Sequence, residues 1–121
     1  MVISIYDNCA SECRIIYHVM GIQVERWGES TPPDAAELRR RLQTEGYRVF
    51  QWSDAPGTTY VAHSHSEDQS HWILTGELEL TVGNEIYTLR AGDRDYLAAN
   101  TTHSAFVPGD EPVTYLIGAR H

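Results

Sequence analysis

Gly57-Thr58-Thr59-Tyr60-Val61-Ala62-His63-Ser64-His65-Ser66-Glu67-Asp68-Gln69, with Gly76 further along, is the stretch on which the reading of this chain turns. His63 and His65 are two positions apart, with Ser64 between them. Side chains of an extended strand alternate faces, so the two imidazoles are expected to point the same way. A pair of imidazoles aimed at one spot suits a transition metal. A third, His103, closes a second segment, Gly92-Asp93-Arg94-Asp95-Tyr96-Leu97-Ala98-Ala99-Asn100-Thr101-Thr102-His103.

The pattern around these segments is β. From Tyr47 onward, short runs rich in β-branched and aromatic residues alternate with turns. The expected strands are 47–53, 58–65, 69–75, 77–82, 85–89, 95–98, 104–107 and 113–118. Gly83-Asn84 between two of them is a two-residue hairpin signal. Many short strands with frequent turns predict an antiparallel sandwich or barrel. Before them, residues 2–6, 14–19 and 23–27 read as strands. One helix is expected to open at Thr31-Pro32-Pro33-Asp34, with the threonine as cap, and to end at Gly46. Ala35, Leu38 and Leu42 give it one apolar face. The chain divides into residues 1–46, strands plus a helix packed on the barrel, and residues 47–121, the barrel, within one structural domain overall.

The bulk numbers narrow the function classes. The chain has 121 residues, 41% hydrophobic and 21% charged, which fits one globular domain. Its formal net charge of −8 repels phosphate backbones, which argues against nucleic acid as a partner. Arg39-Arg40-Arg41 lies in the expected helix and reads as a solvated face. No apolar run approaches the ~20 residues of a membrane helix, and the start lacks the basic residues of a signal peptide. Cys9 and Cys13 are too few for a disulfide scaffold, so a cytoplasmic location is expected. If helical, their spacing would put them on one face as a metal or redox pair, but the residues after them read as a strand.

The two histidine segments together resemble the paired motifs of the cupins. Gly57, His63, His65 and Gly76 fit the first motif, whose glutamate position falls on Gln69. Gly92 and His103 fit the second. There Ala98 replaces a proline, Asn100 a glycine and Val107 an asparagine. The hairpin at Gly83-Asn84 sits where the family has its intermotif segment. The resemblance spans roughly residues 47–118. It implies a double-stranded β-helix, or jelly-roll barrel, and a divalent transition metal such as Fe, Ni, Zn, Mn or Cu. His63, His65 and His103 would be ligands, with Gln69 an optional fourth through its amide oxygen. An amide is neutral, so glutamine in place of glutamate leaves more of the metal's charge uncompensated. Such a site should attract an anionic ligand more strongly. Glu67 and Asp68, just after His65, are the alternative carboxylates.

Other pocket residues follow from alternation. His71 lies two residues beyond Gln69 and shares its face. It reads either as a proton-carrying residue of the pocket or as a hydrogen-bonded core histidine. Thr59 and Val61 should share the face of His63, and Ile73 and Thr75 that of Gln69. Trp52, Trp72 and Tyr96 either line the pocket or fill the core. His18 and His121 are expected to be structural or surface residues. Three readings stay open: a metal-dependent enzyme of dioxygenase, isomerase or lyase type acting on a small oxygenated anion, a small-molecule binding or sensing module without turnover, and a purely structural barrel. The resemblance implies a homodimer.

Overall fold

The computed structural model describes residues 3–7, 14–19 and 21–121, with side chains from residue 21 onward. Twelve elements follow one another. Strands β1 (Ile3–Asp7), β2 (Arg14–Val19) and β3 (Ile22–Glu25) precede helix α1 (Ala35–Thr44). Then come β4 (Arg48–Asp54), β5 (Thr59–His63), β6 (Asp68–Thr75), β7 (Leu78–Val82) and β8 (Glu85–Leu89). The series closes with β9 (Arg94–Leu97), β10 (His103–Phe106) and β11 (Val113–Arg120). A seven-stranded sheet runs β1-β2-β3-β9-β6-β11-β4 and a four-stranded sheet β5-β10-β7-β8. Every strand pair is antiparallel. The all-β expectation and the double-stranded β-helix arrangement hold. Cys9 and Cys13 lie outside the described residues, as does the side chain of His18.

The core has two layers because β6 is covered on both faces. Residues Ser70 to Leu74 are all buried, so the strand has no solvent-facing side over this stretch. Ile73 points between the sheets, among Leu78, Leu80, Leu89, Val107 and Val113. Trp72 and Leu74 point outward, under Leu38 and Leu42 of α1. Trp72 is therefore a core residue rather than a pocket residue.

The helix cap is Asp34 rather than the expected Thr31, and it accepts a hydrogen bond from the Glu37 backbone N–H at 2.9 Å. Asp34 has an extended backbone (φ −109°) and lies three residues before the N–H it caps, whereas Thr31 lies four residues ahead of the first helical residue, Ala35. At the other end, Arg94 ties α1 to the sheet. Its guanidinium, 2% exposed, meets both carboxylate oxygens of Glu45 at 2.9 and 3.0 Å. It also lies against the Trp72 ring at 4.3 Å and the Tyr96 ring at 4.0 Å. The Arg39-Arg40-Arg41 run is a helix face, with Arg41 paired to Glu29 and Glu37. Among the described residues no helix is long and apolar enough to cross a membrane.

Candidate metal centre

His63 and His103 are brought together by direct cross-strand pairing of β5 and β10. Their ring centroids are 4.4 Å apart. His65 lies just past the end of β5, in the turn toward β6, yet its ring stands 4.8 Å from His63 and 5.3 Å from His103. One nitrogen from each ring falls within 4.8 Å of the others. A divalent ion with Zn–N distances near ~2.1 Å holds ligand nitrogens roughly 3–4 Å apart, so these three rings fit with small adjustments.

Local contacts orient the rings. His63 Nδ1 lies 2.6 Å from the Val61 carbonyl, and His103 Nδ1 lies 2.8 Å from the Thr101 carbonyl. A carbonyl oxygen only accepts, so both Nδ1 atoms carry the proton. In the neutral rings, Nε2 is then left with its lone pair free for a metal. Burial holds the pKa of His65 below the ordinary imidazole value, and the neighbouring histidines add to the effect. Burial likewise lowers His103. Neutral imidazole is the ligating form.

The turn that carries His65 is fastened to the second segment. The Asn100 backbone N–H donates to the His65 carbonyl at 2.6 Å. Asn100 has φ +64°, the left-handed conformation that a glycine usually supplies and that asparagine tolerates best among the others. The replacement of the motif glycine thus keeps the backbone it requires. Gly76, at φ +81°, is needed for a second reason: a Cβ there would collide with the Pro112 carbonyl.

The three histidines line a cavity of about 350 Å³. Leu78, Leu80, Ala105 and Ile117 form its apolar wall, and Gln69, half-buried, also borders it. His71 lines it too, 9% exposed. Its Nδ1 lies 2.9 Å from Oδ2 of Asp95, a fully buried carboxylate directly across the strand pair. Asp95 Oδ1 also accepts the His71 backbone N–H at 2.7 Å. Burial pulls the His71 pKa down, but the adjacent Asp95 outweighs it and the net direction is up.

Thr59 and Val61 do not share the face of His63. β5 spends three residues between Tyr60 and His63 where β10 spends two between Ala105 and His103, and this bulge turns Tyr60 inward. Val61 is 78% exposed instead. A second register shift, between Ile73 and Thr75, leaves Thr75 exposed while Ile73 keeps to the inner face. Glu67 is not directed at the histidines. It pairs with Arg48 at 2.8 Å and with His121, an exposed residue, at 3.2 Å. Asp68 accepts from the Ala99 backbone N–H at 2.9 Å. Tyr96 stacks on Arg94 and lies outside this cavity, whereas Trp52 lines it.

Three functional candidates had no signal in the sequence. Asp95 required knowing which residue faces His71. Asp54 and Tyr115 required the pairing of β4 with β11. Asp54, 8% exposed, accepts hydrogen bonds from Trp52 Nε1 at 3.0 Å, the Tyr60 hydroxyl at 2.7 Å and the Tyr115 hydroxyl at 2.8 Å.

Comparison with known proteins agrees with this architecture. The cupin domain family matches residues 50–117, and the chain belongs to that family. A mannose-1-phosphate guanylyltransferase from Salmonella muenchen is 30% identical over 70 residues, 57% of this chain. This chain spans 15% of that protein's length, and 12% of a second Salmonella protein of the same name. Among solved structures, a conserved protein with a double-stranded β-helix domain from Klebsiella pneumoniae is 27% identical, with a TM-score of 0.53. That match covers 59% of this chain and 64% of that one. KdgF from Halomonas sp. is 19% identical with a TM-score of 0.52, covering 97% of this chain and 89% of that one, a likeness of fold alone.

Proposed function

We propose that this protein holds one divalent transition metal on His63, His65 and His103 and binds a small oxygenated anion beside it. The observation that carries the proposal is the convergence of three imidazoles, two of them with Nδ1 committed to a backbone carbonyl and Nε2 left to ligate. The donor set suits Fe, Ni, Zn or Cu better than the harder Mn. Gln69 is an optional fourth ligand through its amide oxygen. Three neutral imidazoles leave the ion's positive charge uncompensated, which favours an anionic ligand. When bound, the metal would supply Lewis acidity, or redox chemistry if it is iron.

In the enzymatic reading, which covers dioxygenase, isomerase and lyase chemistry, the chain's own residues position and exchange protons. The apolar wall formed by Leu78, Leu80 and Ile117 excludes water from part of the cavity. His71 is the candidate proton carrier. Asp95 fixes its ring and favours its protonated form, so the ring can give or take a proton where it borders the cavity. A His71→Ala protein that turns its substrate over at full rate removes His71 from the chemistry. The second reading, a binding or sensing module without turnover, is favoured by Gln69 standing where the family motif has glutamate. A cytoplasmic location and a homodimer belong to the same proposal. The dimer is supported by β4, an edge strand with Phe50 56% exposed.

Cobalt substitution tests the proposal. Co²⁺ added to metal-free protein should give visible ligand-field bands, and acetate or oxalate should shift them by entering an open position. Bands that form but ignore both anions would mean a closed site. No bands at all would contradict metal binding.

A further inference from the structure

The cavity has a second polar point besides the histidines. Asp54 sits at the end of β4 and collects three hydrogen bonds, two on Oδ1 from Trp52 and Tyr60 and one on Oδ2 from Tyr115. All three donors line the cavity. Tyr60 lies three residues before His63 on β5, roughly 9 Å of strand away. Tyr115 stands beside His71, with ring centroids 6.0 Å apart.

The direction of these bonds limits what a ligand can offer. A carboxylate oxygen accepts and never donates. Each phenol has a single proton, and Asp54 takes both of them. Burial, and then the bond to Asp54, push both tyrosines above the ordinary phenol value, so they keep those protons. The indole N–H of Trp52 is likewise spent on Asp54. The two phenol oxygens are left with lone pairs that their bonds to Asp54 do not use.

We propose that Tyr60 and Tyr115, both held by Asp54, form a subsite that accepts a hydrogen-bond donor, so that the ligand carries a hydroxyl or amino group at this point. The inference rests on the cavity being the ligand site proposed above and narrows its ligand class. The ligand is a small anion that presents an oxygen to the histidines and an O–H or N–H to the phenol oxygens, with an apolar span against Leu78, Leu80 and Ile117. A methyl ether of the same shape leaves the lone pairs unmet, which should cost roughly tenfold in affinity.

The test is calorimetric titration of the full chain, with and without Ni²⁺. The paired probes are para- and meta-hydroxybenzoate against their methoxy counterparts, and glycolate against methoxyacetate. At least one hydroxy probe is expected to bind about tenfold tighter than its ether. The Tyr60→Phe, Tyr115→Phe double variant should lose that preference while its affinity for the ether stays the same. Tyr115→Phe alone, checked for fold by circular dichroism, should lose part of it. Equal affinity within every pair, an unchanged preference in the double variant, or no binding of any probe in either metal state overturns the inference. Ni²⁺ uptake is read in the same titrations. A hydroxyl preference without Ni²⁺ uptake overturns the metal reading alone, and Ni²⁺ uptake without the preference overturns this inference alone.

Discussion

Asn100 shows how a single residue can preserve a site while departing from its motif. Its backbone sits at φ +64° and its N–H holds the turn that carries His65. Asn100→Gly should therefore be nearly neutral. Asn100→Ala should cost up to about 1 kcal/mol, because alanine keeps the Cβ but lacks the short polar side chain that eases asparagine into the left-handed region, and should weaken metal binding as the His65 turn loosens. Urea denaturation and a Ni²⁺ titration of both variants check this. The three histidines were legible from spacing, because their offsets match a recurring pattern. Strand alternation accounts for the pairing of His63 with His65 only in part, however. His65 lies beyond the strand, and its place is set by the turn and by Asn100 rather than by alternation alone. Asp95 and Asp54 stayed invisible because a partner across a sheet leaves no mark in the local sequence.

At the scale of elements, β5 marks the limit of reading by period. One extra residue in its pairing with β10 moved Val61 out and Tyr60 in. No glycine or proline lies between Tyr60 and His63 to announce the bulge. Strand existence was readable nearly throughout, since β-branched runs and turns alternate cleanly, while facing was lost at each register shift. The joint between α1 and the sheet gives a second prediction. Arg94→Ala removes a buried cation from between two rings and strands the polar groups it serves, and should cost about 3–5 kcal/mol. Glu45→Ala should cost less, about 1 kcal/mol, because the Glu45 carboxylate is 36% exposed and water can replace it in part. Urea midpoints of the two variants, compared at equal slope, decide the order. Equal losses would mean that the ion pair, not the stacking, holds the helix.

The whole molecule carries its alkaline limit in its tyrosines. Burial raises the phenols of Tyr47, Tyr96 and Tyr115 above their ordinary value, with the bond to Asp54 adding to the last. The unfolded chain releases these protons near pH ~10, whereas the folded chain keeps them. Between the two values the unfolded state binds fewer protons, so stability is full below pH ~10 and falls as pH rises, by up to about 1.4 kcal/mol per pH unit for each tyrosine. Urea midpoints at about pH 8 and pH 11 should show the drop, and Tyr96→Phe should reduce its slope. A flat profile would contradict the burial of these phenols. The fold class came through from composition and turns, and the family from two glycine–histidine segments. The two-layer core came from neither, because it depends on α1 covering the outer face of β6. Metal binding by the three histidines is decided by elemental analysis of tag-free protein beside a His63→Ala, His103→Ala double variant. About one equivalent of Fe, Ni, Zn, Mn or Cu is predicted in the parent and almost none in the variant, since losing two ligands exceeds the ~10–100-fold cost of weakening one. No metal in the parent after reconstitution, or equal metal in both, would contradict the account.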